Sequence, residues 1–478
     1  MADKESDLGL TVKKDQDFSE WYHQLLAKAD VLDQRYPLQG FPAYGRFGFP
    51  AHDRIIKILE DLLDASGHEK CYFPLLVPES LMSKEKQHIR GFEKEVFWVT
   101  HGGLEKLNER LAIRPTSEMP MYETIRNWIR SYNDLPLKIY QSCTVYRYET
   151  KHTRPLLRGR EILWNEAHTS HATREEAAAQ IVEGVRIYKE LFRRICIPSL
   201  FLNVLDVFAG AEEAIEPYGI YPDGRGLEIG SVNNLGQRFA KALDVKFKKE
   251  DGTDDYAYQT CYGISMRLLA TVISVHGDDH GMVLPPEIAP VQAVIVPIVF
   301  KGKEKEVLDA CQKVEKQLRD AGVRVRLDDS ANTAGYKFNH WELRGVPVRI
   351  EIGPRDLEKS SFTLVKRTGG KKSAKLADVV KEVTKAFGEI FSEMSVKAEA
   401  YQKARIRDAA TITAIKEFLD TGFARIAWCG KLECAQKLEK NVEAGLLGHE
   451  YEAPVPHGKK CIICDSAAKH YGYVGRTY

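Results

Sequence analysis

The chain has 478 residues, with 69 Lys and Arg against 68 Asp and Glu for a formal net charge of +1. That length suits about three domains with large cores, and 44% hydrophobic beside 29% charged residues is the balance of a soluble globular protein. The composition excludes several classes. No apolar run approaches the roughly 20 residues of a membrane span, and the opening MADKESDLGLTVKKDQ lacks the apolar core of a secretory signal. The expected compartment is the cytoplasm, and any RNA-binding surface must come from local patches.

Residues 51–66 (AHDRIIKILEDLLDAS) place apolar side chains at helical spacing, and an extended run follows from Cys71 to Val77. Further on comes Ala112-Ile113-Arg114-Pro115-Thr116-Ser117-Glu118. Its Thr-Ser-Glu reads equally well as a helix cap, since Met119 to Trp128 has helical character. Residues 140–169 read as two extended segments joined by a basic loop. Strand parity puts Arg147 and Glu149 on one face of the first segment. The same rule puts Arg158, Arg160, Ile162, Trp164, Glu166 and His168 on one face of the second. Guanidinium, carboxylate, indole and imidazole on a single face suit an adenine nucleotide beside a small zwitterion. A solvated, salt-bridged hairpin is the alternative. Thr173 followed by Glu176 is a capping-box pattern and opens a helix expected from about Glu175 to Ile195.

Leu284-Pro285-Pro286-Glu287-Ile288-Ala289-Pro290 is the strongest boundary, because proline interrupts helix and sheet alike. Strands are expected at Gln292–Phe300, Val323–Leu327 and Val346–Ile352. Helices are expected at Lys303–Ala321 and Tyr336–Arg344. This alternation implies a mostly parallel sheet covered on both faces, in a separate α/β domain. Lys359 to Lys375 holds six basic residues and no acid around a Gly369-Gly370 turn. It reads as an RNA-facing patch or as a solvated loop. Cys71, Cys143, Cys196, Cys261 and Cys311 are scattered among apolar neighbours and read as small core residues. Cys429-x4-Cys434 and Cys461-x2-Cys464 are instead two short-spaced pairs that can converge on a tetrahedral, structural Zn²⁺. Nearby His457 and His470 read as surface residues.

Arg147-Tyr148-Glu149, a loop and Arg158 resemble motif 2 of class II aminoacyl-tRNA synthetases, and Gly263-x-Ser265-x-Arg267 resembles motif 3. With Thr116-Ser117-Glu118 upstream, the chain resembles the prolyl-tRNA synthetases of the archaeal and eukaryotic type over nearly its whole length. The resemblance implies an α+β class II catalytic domain with an antiparallel sheet over residues 1–284. It further implies an α/β anticodon-binding domain over 291–395 and a small C-terminal zinc-binding domain over 396–478. The helix and extended run around Pro74 would form motif 1 and a homodimer interface. The span between motif 2 and Gly263 has no room for the large editing insertion of bacterial-type relatives.

Amino-acid activation needs no general base, because the attacking carboxylate is already ionised. Catalysis then rests on positioning and charge stabilisation at the phosphates, which suits guanidinium groups. By resemblance Arg147 bridges the substrate carboxylate and the α-phosphate of ATP, Arg158 binds the outer phosphates and Arg267 the γ-phosphate. Glu149 meets adenosine or Mg²⁺, Glu228 offers an oxygen to Mg²⁺, and Ser231 and Ser265 complete the nucleotide site. Thr116 and Glu118 take the imino group of proline, with Trp164, Glu166 and His168 around the ring. The segment from Glu212 to Asn233 departs from the family, and Asn233 replaces a histidine that contacts the amino acid in relatives. Glu342, Arg349, Arg355 and Asp356 are the implied readers of the tRNA(Pro) anticodon. Two other functions stay open: a paralogue activating another proline-like acid, and a non-catalytic, tRNA-sensing regulator.

Overall fold

A computed structural model describes residues 9–84, 95–148, 153–208, 210–300 and 302–478. The chain begins with α1 (Phe18–Lys28), α2 (Gly48–Ala65) and the short strand β1 (Glu69–Lys70). Next come α3 (Glu118–Ile125), β2 (Leu137–Tyr146), β3 (Glu161–His171) and α4 (Arg174–Arg194). Strands β4 (Leu200–Val204), β5 (Glu213–Ile220), β6 (Gly230–Gly236) and β7 (Tyr258–Ser265) then lead into α5 (Arg267–His276). The capping box at Thr173 and Glu176 forms as expected. The run from Cys71 to Val77 does not make one strand. Only Leu76–Pro78 pairs there, and the Phe73 amide donates instead to a side chain, Gln141 Oε1.

Strand pairing decides which face becomes the core. β3 lies between β2 and β7, antiparallel to both, with His168 opposite Ile139 and Cys261. Ile162, Trp164, Glu166 and His168 therefore share a face. The other face is covered by α2, α4 and α5. Their Ile55, Leu59, Leu191 and Val272 join Val232 and Tyr262 of the sheet in one buried cluster. A second cluster, with Tyr122 of α3, Phe239 and Leu235, closes the far end of the first face.

Burial holds the His52, His68, His171 and His276 imidazoles down at about 4. Unfolded imidazoles titrate near 6.5, so between these values the unfolded chain binds more protons. The stability is present above about pH 6.5 and is lost as pH falls toward 4. Thermal melts are expected to show Tm falling from about pH 7 to pH 5, with a shallower fall in His171→Gln. Equal slopes in parent and variant would count against a buried neutral imidazole at His171.

The second domain runs β8 (Ala293–Pro297), α6 (Glu304–Asp320), β9 (Val325–Leu327), α7 (Ala334–Leu343) and β10 (Val348–Ile352). A hairpin, β11 (Ser361–Lys366) and β12 (Lys371–Lys375), completes a sheet ordered β9-β8-β10-β11-β12. β9, β8 and β10 are parallel while β11 and β12 run antiparallel, so the sheet is mixed rather than mostly parallel. Gly369 and Gly370, with φ of +111° and +98°, let the chain reverse there without a crossover helix. Four of the six basic residues of the run are paired with acids, while Lys359 and Lys375 are exposed. Lys366 pairs with Glu389 and Glu393, Arg367 with Asp278, Lys371 with Glu351 and Lys372 with Glu382.

The boundary expected between residues 395 and 396 falls inside one continuous helix, α8 (Val379–Ala404). Beyond it lie β13 (Ile406–Asp408), β14 (Phe423–Trp428), α9 (Leu432–Val442), β15 (Gly445–Glu450) and β16 (His470–Gly475). These strands do not form a sheet of their own, because β15 pairs with β4 from Gly448↔Val204 to Glu450↔Leu202. The result is a 12-stranded sheet ordered β13-β14-β16-β15-β4-β5-β6-β7-β3-β2-β1, with Gly226–Glu228 also on β5. The C-terminal unit is thus a hydrogen-bonded extension of the first domain. Among the described residues no helix is long and apolar enough to cross a membrane.

Candidate active site

A cavity of about 410 Å³ opens on the free face of β3, β6 and β7. Ile162 and His168 both line it from β3. At about 3.3 Å per residue their six-residue separation spans roughly 20 Å, enough for a nucleotide and a small amino acid end to end. Residues Gln34 to Tyr44 cover it from the N-terminal side, with Tyr36, Leu38 and Phe41 in its wall.

The far end is buried and polar. Thr116 Oγ1 donates to the Glu118 carboxylate, and both residues are buried at the start of α3. Glu166 accepts from Gln141 Nε2 at 2.7 Å and lies 3.4 Å from His168 Nε2. Burial pushes the Glu166 carboxyl up, but hydrogen bonds from His168, Ser117 and Gln141 outweigh it and leave the pKa below the ordinary value. His168 Nδ1 is 2.9 Å from the Tyr122 hydroxyl. Asn233 Nδ2 donates to Ser231 Oγ at 3.0 Å and to Cys261 Sγ at 3.7 Å. Trp164 adds an aromatic wall. A slot with carboxylates at one side and rings at the other fits a cationic imino acid.

The near end is cationic. Arg147 Nε donates to the Pro115 carbonyl at 2.9 Å, and its guanidinium lies 5.5 Å from the Trp164 ring. It therefore stands where the two ends meet. Arg158 is exposed at the rim. Arg267 is fixed by Leu157 O at 3.1 Å and Glu228 O at 2.9 Å, and its Nη1 is 3.5 Å from Glu228 Oε2. Ser265 Oγ accepts the Arg267 amide at 3.4 Å. Arg267 also opens α5, whose N-terminal dipole favours anions. Glu149 lies outside the described residues.

Two wall residues, and a third close behind the wall, were not assigned to the site from the sequence. Glu216 faces Glu228, and burial followed by that second carboxylate pushes its pKa up to about 8. Cys261 is buried in the second cluster, as expected, and also lines the cavity. Cys143, also expected in the core, is half-buried with its thiol 3.5 Å from Glu166 Oε1. Only Glu216 had a signal in the sequence, as one of several acids in a segment that departs from the family. Nearby, the Tyr478 hydroxyl donates to Asp223 at 2.7 Å, and its ring lies 4.7 Å from Arg154 of the basic loop. Arg160 stacks on Tyr148 at 4.2 Å and lies outside the cavity.

Elsewhere the four expected thiols do converge. The sulfurs of Cys429, Cys434, Cys461 and Cys464 lie within 4.8 Å of one another. His457 is exposed as expected, but His470 is half-buried with its ring 4.1 Å from that of His449. In the second domain Arg349 is held by Glu351 at 3.0 Å and by the Phe338 ring at 4.0 Å. Asp356 accepts the Gly353 amide at 2.9 Å and so caps a short helix. Arg355 is exposed and Glu342 is half-buried.

Comparison with known proteins agrees with this geometry along the chain. The family description "tRNA synthetase class II core domain (G, H, P, S and T)" matches residues 97–276. "Anticodon binding domain" matches 292–386, and "Prolyl-tRNA synthetase, C-terminal" matches 412–478. The proline--tRNA ligase of Methanosarcina mazei is 45% identical over 482 aligned positions, covering 100% of both chains. That of Pyrococcus horikoshii is 44% identical, covering 97% of this chain and 98% of its own. The Giardia lamblia prolyl-tRNA synthetase in complex with prolyl-adenylate superposes with a TM-score of 0.94 at 34% identity, covering 98% of this chain and 100% of its own. Full-length matches in sequence and fold, together with the paired ends of the cavity, establish that the chain belongs to the prolyl-tRNA synthetases of class II.

Proposed function

We propose that this cavity makes prolyl-adenylate from proline and ATP and that the chain then passes the prolyl group to tRNA(Pro). The supporting observation is the row Ile162, Trp164, Glu166 and His168, flanked by Arg147 and Arg267, in a cavity that is acidic at one end and cationic at the other. The proline carboxylate attacks the α-phosphorus of ATP in line and pyrophosphate leaves. The nucleophile is already ionised, so the protein's work is positioning and charge stabilisation.

Thr116 and Glu118 hold the imino cation, and Trp164, Glu166, His168 and Asn233 border the ring. Arg147 grips both the carboxylate and the α-phosphate with its paired donors. Arg158 and Arg267 take the outer phosphates, while Ser231, Ser265 and Glu149 complete the nucleotide site. Glu228 and Glu216 would hold Mg²⁺, because two carboxylates crowded together in a poorly solvated wall are relieved by a divalent cation. When bound, that ion neutralises phosphate charge. The four cysteines suit Zn²⁺ by donor type and number, and with no open position the metal is structural.

The second domain reads the anticodon, with Arg355 and Glu342 better placed for it than Arg349 and Asp356, which have internal partners. Tyr72, Leu75 and Leu76 are exposed beside Pro74, a surface suited to a homodimer seam. The working compartment is the cytoplasm.

Pyrophosphate exchange with a panel of amino acids tests the reading. Proline should support exchange far above every other amino acid, and a stronger response to another acid would overturn the substrate. Asn233→His is expected to lower KM for proline, because an amide cannot carry the charge that imidazole can. An unchanged KM would remove Asn233 from the specificity set.

A further inference from the structure

Gln141 is fully buried in the middle of β2, directly opposite Glu166 in the strand register. Both N–H donors of its amide are used, and its carbonyl accepts one backbone bond. Nε2 donates to Ser117 Oγ at 2.9 Å and to Glu166 Oε1 at 2.7 Å, and Oε1 accepts the Phe73 amide at 3.0 Å. The two donor contacts go to different elements. Ser117 lies between Thr116 and Glu118 at the start of α3, and Glu166 lies on β3 beside His168. These two elements supply the acidic end of the cavity, yet Gln141 does not line it.

The chemistry leaves little choice of residue at this position. Ser117 Oγ and the ionised Glu166 both need a donor, while the Phe73 N–H needs an acceptor. Only a primary amide offers two N–H donors and one carbonyl from a single planar group. A carboxylate of the same shape keeps the acceptor for Phe73 but loses both donors, and it meets the Glu166 anion face to face. A thioether of similar volume fills the space and leaves Glu166 without its amide partner, a costly state for a buried charge. Neighbouring Arg114 fixes the other side of the same turn, donating to Phe73 O at 2.7 Å and to Thr144 O at 3.1 Å. The acceptor side of Gln141 is thus anchored on backbone that is itself held, and the amide cannot swing away.

We propose that Gln141 is the positioning residue of the imino-acid pocket: one buried amide sets the Glu166 carboxylate and the 116–118 turn in mutual register. It acts through these residues and never meets the substrate. The proposal rests on the reading that this end of the cavity takes proline. The phosphate end, with Arg147, Arg158 and Arg267, shares no hydrogen bond with Gln141 among those described, so the two substrates should respond differently.

The test is pyrophosphate exchange by the full-length parent, Gln141→Met and Gln141→Glu, with separate KM values for proline and ATP and a thermal melt of each. Loss of a hydrogen bond to a buried charge is expected to raise KM for proline by about tenfold or more, with KM for ATP within about twofold. Gln141→Glu should be the worse variant, although it is the closer in shape. A merely structural role predicts equal changes in both KM values, and that result overturns the proposal, as does a Gln141→Met variant worse than Gln141→Glu. Should both variants fail to fold, Ser117→Ala removes one of the two acceptors of Gln141, together with the hydroxyl's own bond to Glu166, and leaves the strand pair intact. It must then raise KM for proline selectively, and an unchanged KM overturns the proposal. Absence of proline-dependent exchange in the parent would instead refute the substrate reading.

Discussion

Arg147→Ala is expected to lower proline-dependent pyrophosphate exchange by about 10²–10³, the usual cost of removing one preorganised charge contact at a transition state. The side chain stands between the two ends of the cavity, bonded to the Pro115 carbonyl and lying over the Trp164 ring. On the proposed reading it is the residue that grips both the carboxylate and the α-phosphate. Lysine is not an adequate substitute, because a point charge cannot grip two oxygens at once. The group is half-buried at the cavity wall, so its loss opens no core and Tm should hardly move. Exchange near the parent level in a folded Arg147→Ala protein would remove the residue from the chemistry.

Loss of zinc is the second large effect. Purified protein is expected to contain one Zn²⁺ per chain at Cys429, Cys434, Cys461 and Cys464, whose sulfurs already lie within 4.8 Å of one another. Structural zinc can contribute on the order of 10 kcal/mol to the folding of small modules. Here the damage should spread further than the module. β14 carries the chain into Cys429, β16 follows Cys464, and β15 beside β16 pairs with β4 of the catalytic sheet. Chelation or Cys429→Ser is therefore expected to lower Tm and to impair adenylate formation as well, although the four cysteines lie outside the cavity. Elemental analysis finding no zinc would overturn the site. Full exchange activity after complete metal removal would show that the sheet extension is mechanically independent. The same continuity makes deletion of residues 291–478 a poor probe of anticodon binding, since it strips β15 from the edge of β4. Substituting exposed Arg355 avoids this.

Much of the chemistry was legible in the sequence because it depends on short-range order. Alternate residues of a strand face one way, so the row Ile162, Trp164, Glu166 and His168 followed from parity alone. The four cysteines announced themselves by spacing, the long α4 helix by its capping box, and the linker by its prolines. The three arginines came from resemblance to known motifs, and the cavity brings them together. What tertiary structure alone decided was which elements become neighbours. Nothing in Gly445–Glu450 states that it will pair with Leu200–Val204, because strand partners are chosen by long-range packing and not by local pattern. Charge shows the same limit. Lys366, Arg367, Lys371 and Lys372 read as a cationic run until the fold brings Glu389, Glu393, Asp278, Glu351 and Glu382 against them. Gln141 carries no local signal at all. Its importance arises only when α3, β3 and the Phe73 backbone converge on one buried amide, a meeting that hydrogen-bond satisfaction enforces in the folded chain and that no stretch of sequence encodes by itself.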